Sequence, residues 1–533
     1  MTQSARRDLL IVVGVVAAAA AVLVGRSLGR GVFLYRDFVT VPDPVVGAAT
    51  WGAPGSPPRS APLDAVVVAL APVLPPGVQQ QVMLVGALVL AGLGTALLVR
   101  SWGLAAMVPS AVVAMWNPFV VERLLLGQPP TLLAYSMTPW LILAVRSRLA
   151  GWRGLAAVAV AAAPAALTPW GGLWALGVVL VTALATPWRS GRWWFAALTL
   201  GAGWCLPWVI PGLHYATTAA DPDGANAFAA QSDSPLGVLV SVATLGGIWA
   251  PAAVPGSRST TLSIAVGVAL FVVALVGLVV LARDGHRRAA AWLGCALVVP
   301  PAVVTLLATG PGIGLMRAAQ ALPGVAVARD THRWVGPAAT ATAVLVGVVA
   351  ASVAQRLRRI ARAAVAPTVA AVLATCSFAV LAVPDAPTLL HAAYQPVGMP
   401  PGWAAAVDAA DQAAGDRAVL VLPWSAFRAA RSPSGYNRNQ PFLDPLSRAL
   451  AQRVISSREL VVSRQGVTVT VDDDPGGLTR LASDPSPAAL EAAGIGAVVV
   501  WTDVRGPAVP AAVRDLELVE RAGSFEVWRV TRP

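Results

Sequence analysis

The feature that most constrains this chain is a series of apolar runs, each long enough or nearly long enough to cross a lipid bilayer. A helix that crosses the ~30 Å hydrocarbon layer needs about 20 mainly apolar residues, because it rises about 1.5 Å per residue. Eleven runs approach this length, at roughly 9–25, 81–99, 102–116, 132–145, 154–168, 171–186, 194–210, 260–282, 289–308, 335–354 and 364–383. Two further stretches, 63–75 and 235–250, are too short or too broken to count as spans. The pattern predicts a polytopic α-helical membrane protein with about eleven transmembrane helices.

Composition supports this fold class. Charged residues make up 12% of the chain, against about 25% in soluble domains. All 38 basic residues are Arg, and the chain is rich in Ala, Val, Gly and Pro, which indicates a GC-rich genome such as that of an actinobacterium. The three cysteines lie inside apolar runs. This placement excludes a disulfide framework and a cysteine-based zinc site.

The distribution of arginine predicts the orientation. With a cytoplasmic N-terminus, the inner segments hold Arg6, Arg7, Arg100, Arg146, Arg148, Arg153, Arg189, Arg192, Arg283, Arg287, Arg288, Arg356, Arg358, Arg359 and Arg362. Only Asp8 and Asp284 oppose these fifteen residues. Positive charge of this kind marks the cytoplasmic side, so the net charge of +12 reflects topology and does not indicate a nucleic-acid partner. An odd number of spans then places residues 384–533 outside the plasma membrane.

The first apolar run could be the core of a cleaved signal peptide. However, no small-residue cleavage site follows it, and the stretch from Gly25 to Arg36 is basic. These features favour an uncleaved first span.

The pattern changes after residue 383, which divides the chain into a membrane domain, 1–383, and a soluble extracytoplasmic domain, 384–533. The latter is predicted to contain helices at 403–414 and 487–493, strands at 417–424, 463–471 and 495–501, and a closing hairpin at 516–530. This order predicts a small α/β domain. The long polar loop at 425–448 carries Arg428, Tyr436 and Asn437, which are candidates for binding an acceptor glycan or are simply solvated.

The first outer loop carries a candidate catalytic acid. Asp37 follows the first span by about a dozen residues and lies among aromatic side chains, beside Arg36. Aromatic rings favour the membrane–water interface, so this carboxylate is well placed to meet a lipid-linked substrate. Alternatively, Asp37 only pairs with Arg36 or Arg123.

Two further outer segments carry candidate site residues. The second loop contains Glu122, either a second site acid or a partner of Arg123 or Arg333, on an amphipathic stretch expected to lie on the membrane surface. A later string, Arg-Asp-Thr-His-Arg-Trp, brings Arg329, His332 and Arg333 together at the start of a span. Because Arg binds phosphate through paired charge-assisted hydrogen bonds, this string is predicted to bind a lipid phosphate, the alternative being interfacial anchoring.

These features resemble the GT-C glycosyltransferases, which are membrane enzymes that use polyprenyl-phosphate sugars. The acid in the first outer loop, the WNPFVVERLLLGQ segment leading into LLAYSMTPW, and the late RDTHRW string are similar to the membrane portion of actinobacterial arabinofuranosyltransferases. The resemblance implies an inverting transfer of arabinose or mannose from a polyprenyl-phosphate donor to a cell-envelope glycan or glycolipid. It also implies Asp37 as the base, with Arg329 and Arg333 on the departing phosphate.

No cofactor is predicted with certainty. Some family members carry an Asp-x-Asp or Glu-x-Asp pair in an outer loop, and Asp221-Pro-Asp223 is the one candidate here, so a divalent cation remains open. Two other functions also remain open: a transporter or flippase of lipid-linked glycans, and a non-catalytic scaffold of an envelope-assembly complex. The sequence shows no internal repeat, which is a common feature of transporters.

Overall fold

The fold is given by a computed structural model of the chain. The structure describes residues 3–531 with the exception of 54–57, 59, 148, 150, 187–189, 216–219, 323, 362–364, 432–439, 465 and 472–476.

The membrane part consists of helices whose positions follow the apolar runs. The helices are α1 (Gln3–Val24), α2 (Ala48–Trp51), α3 (Leu63–Leu70), α4 (Pro76–Leu98), α5 (Leu104–Met115), α6 (Pro118–Leu125), α7 (Pro129–Arg146), α8 (Gly151–Ala162), α9 (Pro169–Leu184), α10 (Gly191–Gly203), α11 (Leu206–Tyr215), α12 (Gly224–Ala227), α13 (Gly237–Ala243), α14 (Thr261–Arg283), α15 (Arg287–Leu307), α16 (Gly310–Ala319), α17 (Gly336–Ala361), α18 (Ala366–Ala382) and α19 (Ala386–Ala393). A helix lies over each of the eleven predicted runs.

The number of helices that can cross a membrane alone is smaller. Among the described residues, six stretches are long and apolar enough, and the count rises to eight if two bent pairs are each one span. The bent pairs are α10 with α11, at 50°, and α18 with α19, at 53°. Helices α8 and α9 are apolar but shorter. A polytopic membrane fold is therefore confirmed, whereas eleven spans remain a prediction.

Small residues bring the central helices into close contact. A Cβ atom added at Gly347 of α17 would lie 1.9 Å from the Ser110 hydroxyl of α5. One added at Gly277 of α14 would lie 2.8 Å from the backbone oxygen of Leu345. Membrane helices pack through such small residues because lipid supplies no hydrophobic drive for association. Helix α17 consequently lies at the centre of the bundle.

The C-terminal domain is a mixed α/β unit. Its strands are β3 (Ala418–Leu422), β4 (Phe427–Arg428), β5 (Phe442–Leu443), β6 (Val454–Ile455), β7 (Leu460–Arg464), β8 (Val467–Val471), β9 (Ile495–Trp501), β10 (Glu517–Ala522) and β11 (Phe525–Arg529). Its helices are α20 (Trp403–Ala414), α21 (Leu446–Ala449), α22 (Leu478–Ser483) and α23 (Pro487–Ala492). The five-stranded sheet has the order β10-β11-β9-β3-β6, with β3 parallel to β6 and β9. Strands β3 and β9 are buried throughout, which matches their continuous apolar sequences.

One predicted strand is wrong. The alternating segment 463–471 was expected to form a single strand, but it belongs to the antiparallel hairpin of β7 and β8. The chain reverses next to Gly466, whose φ of +81° suits glycine. This hairpin packs against the membrane domain, where Arg464 donates to the backbone oxygen of Ala229 at 2.9 Å.

The two domains are joined through the first outer loop. This loop forms a hairpin of β1 (Leu34–Tyr35) and β2 (Phe38–Val39). Its Val32 pairs with Val397, and its Leu34 and Val39 belong to the same apolar cluster as the C-terminal sheet. Helix α19 lies after residue 383 but packs with α1 and α6. The first outer loop is therefore held between the membrane bundle and the C-terminal sheet.

Candidate active site

Asp37 lies at the tip of the β1–β2 hairpin. Tyr35 pairs with Phe38, so Arg36 and Asp37 form a two-residue turn. Such turns need a positive φ, and Arg36 adopts a φ of +47°. The Arg36 backbone is fixed on the C-terminal domain, since its N–H donates to Pro441 O at 2.7 Å and its carbonyl accepts from Leu443 N at 2.8 Å. The turn therefore presents Asp37, which is exposed, at the junction of the two domains.

The second outer loop packs directly against this turn. Helix α6 begins at Asn117, whose side chain accepts a hydrogen bond from Val120 N, and Pro118 occupies the first helical position. The loop after α6 passes through Gly127, which has a φ of +78°. A Cβ atom at Gly127 would lie 2.9 Å from Arg36 Cβ and 3.0 Å from Asp37 N. The next residue, Gln128, donates from Nε2 to Asp37 Oδ2 at 3.1 Å.

Helix α6 does not lie on the membrane surface, contrary to prediction. Every one of its residues is buried, including Phe119, Glu122 and Leu124. The Tyr35 hydroxyl donates to Leu125 O at 2.7 Å, and Tyr394 donates to Leu124 O, so both aromatic side chains cover the helix end. The apolar face of α6 thus packs against protein.

Arg123 is the centre of the buried polar network. Its Nη1 and Nη2 atoms donate to the two carboxylate oxygens of Asp330 at 2.6 and 2.7 Å. Nη1 also donates to Gln128 Oε1 at 3.0 Å, and Nε donates to His332 Nδ1 at 3.1 Å. Asp330 Oδ2 also forms an ion pair with Arg333, 3.1 Å from its Nε atom. The predicted pairing of Arg123 with Asp37 or Glu122 gives way to pairing with Asp330.

A second buried group lies behind this network. Glu122 Oε2 is 3.3 Å from His332 Nε2 and accepts from Ile248 N at 3.1 Å. Asp233 forms a buried ion pair with Arg258, with 2.9 Å between Oδ2 and Nε. Burial would raise the pKa of the Asp233 carboxyl, but the Arg258 guanidinium beside it lowers it below its ordinary value.

Gly246 lies where these carboxyl groups meet. A Cβ atom there would lie 2.0 Å from Asp233 Oδ2 and 2.9 Å from Glu122 Oε1. Close approach of the backbone to both acids therefore requires glycine at this position.

The predicted phosphate-binding residues separate into two groups. His332 is fully buried between Arg123 and Glu122, so it supports the site from behind. Arg329 and Arg333 are partly exposed, and the Arg329 guanidinium lies 4.5 Å from the ring centre of Phe228. Arg333 also interacts electrostatically with Asp37. The partly exposed Arg333 is therefore near enough to the exposed acid for the two charges to attract each other.

An aromatic wall adjoins Arg333. Trp334 stacks on Trp170, with 6.2 Å between ring centres and an interplanar angle of 16°. Trp174 lies beside Trp170 at 6.1 Å and donates to the Thr138 hydroxyl at 2.7 Å. The wall gives the site an apolar side that faces the α7–α9 region.

The three predicted acceptor-binding residues lie farther along the chain. Arg428 is fully buried, and its Nη2 and Nε atoms donate to Asp444 Oδ2 at 2.7 and 3.0 Å. In this arrangement it stabilises its loop and is enclosed by protein. Tyr436 and Asn437 lie outside the described residues.

Asp221 and Asp223, the candidate cation-binding pair, interact with residues close to them in the structure. Asp223 pairs with Arg317 at 2.6 Å, and Asp221 Oδ1 accepts from Asp223 N at 2.8 Å. Among the residues that the structure describes, no group of three or more His, Cys, Asp or Glu side chains could hold a metal ion.

Sequence reasoning missed the connecting residues of the site. It did not identify Gln128 as a site residue and did not pair Arg258 with Asp233. Arg123 and Arg258 each lie shortly before a predicted span. This position was the available signal that they are paired, because an ion close to the membrane interior is costly unless it has a partner.

Comparison with solved structures identifies the fold. The mycobacterial arabinofuranosyltransferase AftD matches over 99% of this chain, with a TM-score of 0.56 and 17% sequence identity. The chain has a GT-C-like fold. A second AftD structure, with one substitution, gives a TM-score of 0.53 at 17% identity and again covers 99% of this chain. The chain spans 40% and 42% of the two AftD chains, respectively.

The GT-C-like assignment rests on the two AftD comparisons. ArnT from Cupriavidus metallidurans aligns over 98% of both chains, at a TM-score of 0.44 and 14% identity. No protein-family model matches the sequence, and no curated protein matches it. The GT-C likeness therefore concerns architecture, and the chemistry has to be argued from the site.

Proposed function

We propose that this protein is a membrane glycosyltransferase that moves a sugar from a polyprenyl-phosphate donor to a cell-envelope glycan or glycolipid at the outer face of the plasma membrane. The exposed Asp37 carboxylate, at the tip of a fixed turn between the two domains, is the observation that carries the proposal. The partly exposed Arg333 is near enough to attract this carboxylate electrostatically. An acid and a cation placed together at the end of the bundle that carries the C-terminal domain suit a substrate that is part lipid and part sugar.

The proposed reaction is a single displacement with inversion. Asp37 accepts the proton of the acceptor hydroxyl, whose oxygen attacks the anomeric carbon of the donor sugar. The bond between that carbon and the phosphate oxygen breaks, and its electron pair leaves with the polyprenyl phosphate. Arg329 and Arg333 stabilise the charge that develops on this phosphate. Arabinose and mannose are the proposed sugars, and no enzyme-bound sugar is formed.

Glu122 and His332 act behind the reacting groups in this proposal. Both side chains are fully buried and contact each other, so neither touches donor or acceptor in the arrangement seen. They position Arg123, and through it the exposed residues. The Trp170–Trp334 wall offers apolar surface for the first isoprene units of the donor.

The test uses purified protein in lipid nanodiscs with synthetic polyprenyl-phosphate arabinose or mannose and an envelope-glycan acceptor. We expect transfer by the wild type and a loss of about 10²–10⁴-fold in kcat for Asp37→Asn, the usual contribution of a general base. Asp43→Asn, an exposed acid of the same loop, is the control and should remain active. Full activity of Asp37→Asn would exclude Asp37 as the base. If no sugar is transferred but lipid-linked glycan crosses the membrane of proteoliposomes, the protein is a transporter.

A further inference from the structure

A continuous polar chain links the exposed Asp37 with the partly exposed Arg333. Gln128 donates to Asp37 at 3.1 Å, and Arg123 donates to Gln128 at 3.0 Å. Arg123 also donates to Asp330 at 2.6 Å, and Asp330 forms an ion pair with Arg333 at 3.1 Å. These residues come from three segments that are far apart in the sequence. The chain therefore connects the acid of the first outer loop with the cation at the start of α17.

We infer that Gln128, Arg123 and Asp330 form a positioning relay that fixes the distance and orientation between the Asp37 carboxylate and the Arg333 guanidinium. This inference rests on the proposed function, because it gives the relay a role in transfer. None of the three residues touches substrate in this account. They act through the two exposed residues, and Gln128 sets the orientation of the acid.

The hydrogen-bonding capacity of Gln128 makes the relay directional. Arg123 has only donors, so the amide oxygen of Gln128 must face it, and the amide nitrogen must then face Asp37. Gln128 is 8% exposed and Arg123 is fully buried, which leaves the amide little freedom to flip. The contact thus fixes the orientation of the Asp37 carboxylate through its Oδ2 atom.

The rigidity of the relay follows from Arg123. Its guanidinium binds both oxygens of Asp330, the geometry that gives Arg–carboxylate pairs their specificity. Gly127 adds a backbone contact, because a Cβ atom there would overlap the Asp37 turn. Transfer requires the base and the phosphate-binding cation to act on opposite sides of one anomeric carbon, and a misplacement of about 1 Å can lower the rate by about 10².

The decisive variant is Gln128→Glu. Glutamate keeps the size of glutamine and the acceptor that faces Arg123, but it loses the donor that faces Asp37. We expect kcat to fall by about 10², with the donor KM unchanged, because Arg329 and Arg333 are untouched. Arg333→Gln should instead raise the donor KM. Gln452→Glu is the matched control: Gln452 also donates an amide N–H to an aspartate, Asp411, but on the outer domain, and its loss should leave both constants unchanged.

A second measurement needs no turnover. The double variant Asp37→Asn with Gln128→Glu restores the hydrogen bond with donor and acceptor exchanged, so the thermal unfolding midpoint should recover relative to Gln128→Glu alone. Activity should not recover, because asparagine is no base. Recovery of the midpoint supports the contact, even if the wild type transfers no sugar from either donor and the proposed function fails.

Three results would overturn the relay. One is a wild-type kcat for Gln128→Glu in an active enzyme. Another is a loss in kcat that Gln452→Glu shows equally, since this would mean general destabilisation. The third is a double variant whose unfolding midpoint shows no coupling between positions 37 and 128.

Discussion

Asp330 shows how much of this site depends on a single buried charge. Its carboxylate accepts hydrogen bonds from Arg123, forms an ion pair with Arg333 and is 4% exposed. Burial alone would raise the pKa of Asp330, but the two guanidinium groups hold it well below its ordinary value. Because the pKa in the folded state is depressed, the pair stabilises the fold above the unfolded-state pKa of about 4 and loses this contribution as the pH falls further.

Asp330→Asn should therefore destabilise the protein at neutral pH by on the order of 3 kcal/mol, because it leaves the buried Arg123 without its counter-charge. The difference in thermal unfolding midpoint between wild type and variant should shrink as the pH is lowered below about 4, because Asp330 is then protonated in the unfolded chain while it still resists protonation in the folded protein. Asp223→Asn is the control, since its ion pair with Arg317 is about half exposed on both sides and contributes little. A difference that stays constant with pH would mean that the charge of Asp330 is not what stabilises the fold.

Single residues were predicted more completely than their contacts. Asp37, Glu122, Arg329, His332 and Arg333 could be selected because charge is rare next to membrane spans. Their contacts could not, since Arg123 and Asp330 are 207 positions apart and no local pattern joins them. The burial of these side chains could not be predicted from the sequence either. His332 and Arg428 were candidates for binding ligands, and both are enclosed by protein.

At the scale of elements, the site depends on how closely two loops approach. The β1–β2 turn and the loop after α6 touch through the backbone at Gly127, and this contact sets the position of Gln128. Helix α6 is itself fixed by its Asn117 cap and by the hydroxyl groups of Tyr35 and Tyr394. Two loops from distant parts of the sequence thus behave as one rigid unit.

Gly127→Ala should separate these loops. The added methyl group would clash with Arg36 and Asp37, and a positive φ costs any other residue about 1 kcal/mol. We expect a fall in kcat together with a lower unfolding midpoint. Gly285→Ala provides the matched control, because its φ is +85° but no atom lies within 4 Å of the added carbon. Equal activity losses in the two variants would mean that backbone strain, and not the contact with the turn, is responsible.

The elements themselves could largely be predicted, for a physical reason. Apolar runs of bilayer length must form helices, since every backbone group has to be satisfied internally in lipid. In the C-terminal domain, the helix at 403–414 and the strand at 495–501 appear as α20 and β9. The error at 463–471 arose because the alternation of apolar and polar residues continues through the turn of the hairpin. Gly466 was the available signal for that turn.

At the scale of the whole molecule, the bundle has two chemically distinct ends. One end carries the site and the C-terminal domain, which is bonded to the loop after α1 through Arg36 and Pro441. At the other end, the rings of Trp102 and His286 lie 5.6 Å apart and join the α4–α5 and α14–α15 connections. If α1 crosses the membrane, the N-terminus lies on the side opposite to the C-terminal domain, whatever the number of later spans.

This arrangement predicts which residues can be reached from outside the cell. In a background with Cys205, Cys295 and Cys376 replaced by Ala, we expect Gln412→Cys on α20 to react with a membrane-impermeant maleimide on intact cells. Arg359→Cys, at the Arg-rich end of α17, should react only after permeabilisation, because positive charge stays in the cytoplasm. Both positions are exposed, so access is decided by the membrane. Leu450→Cys, which replaces a buried side chain in the C-terminal domain, controls for unfolding and should stay unlabelled in native protein. Labelling of Arg359→Cys on intact cells with protection of Gln412→Cys would reverse the orientation and place the site in the cytoplasm.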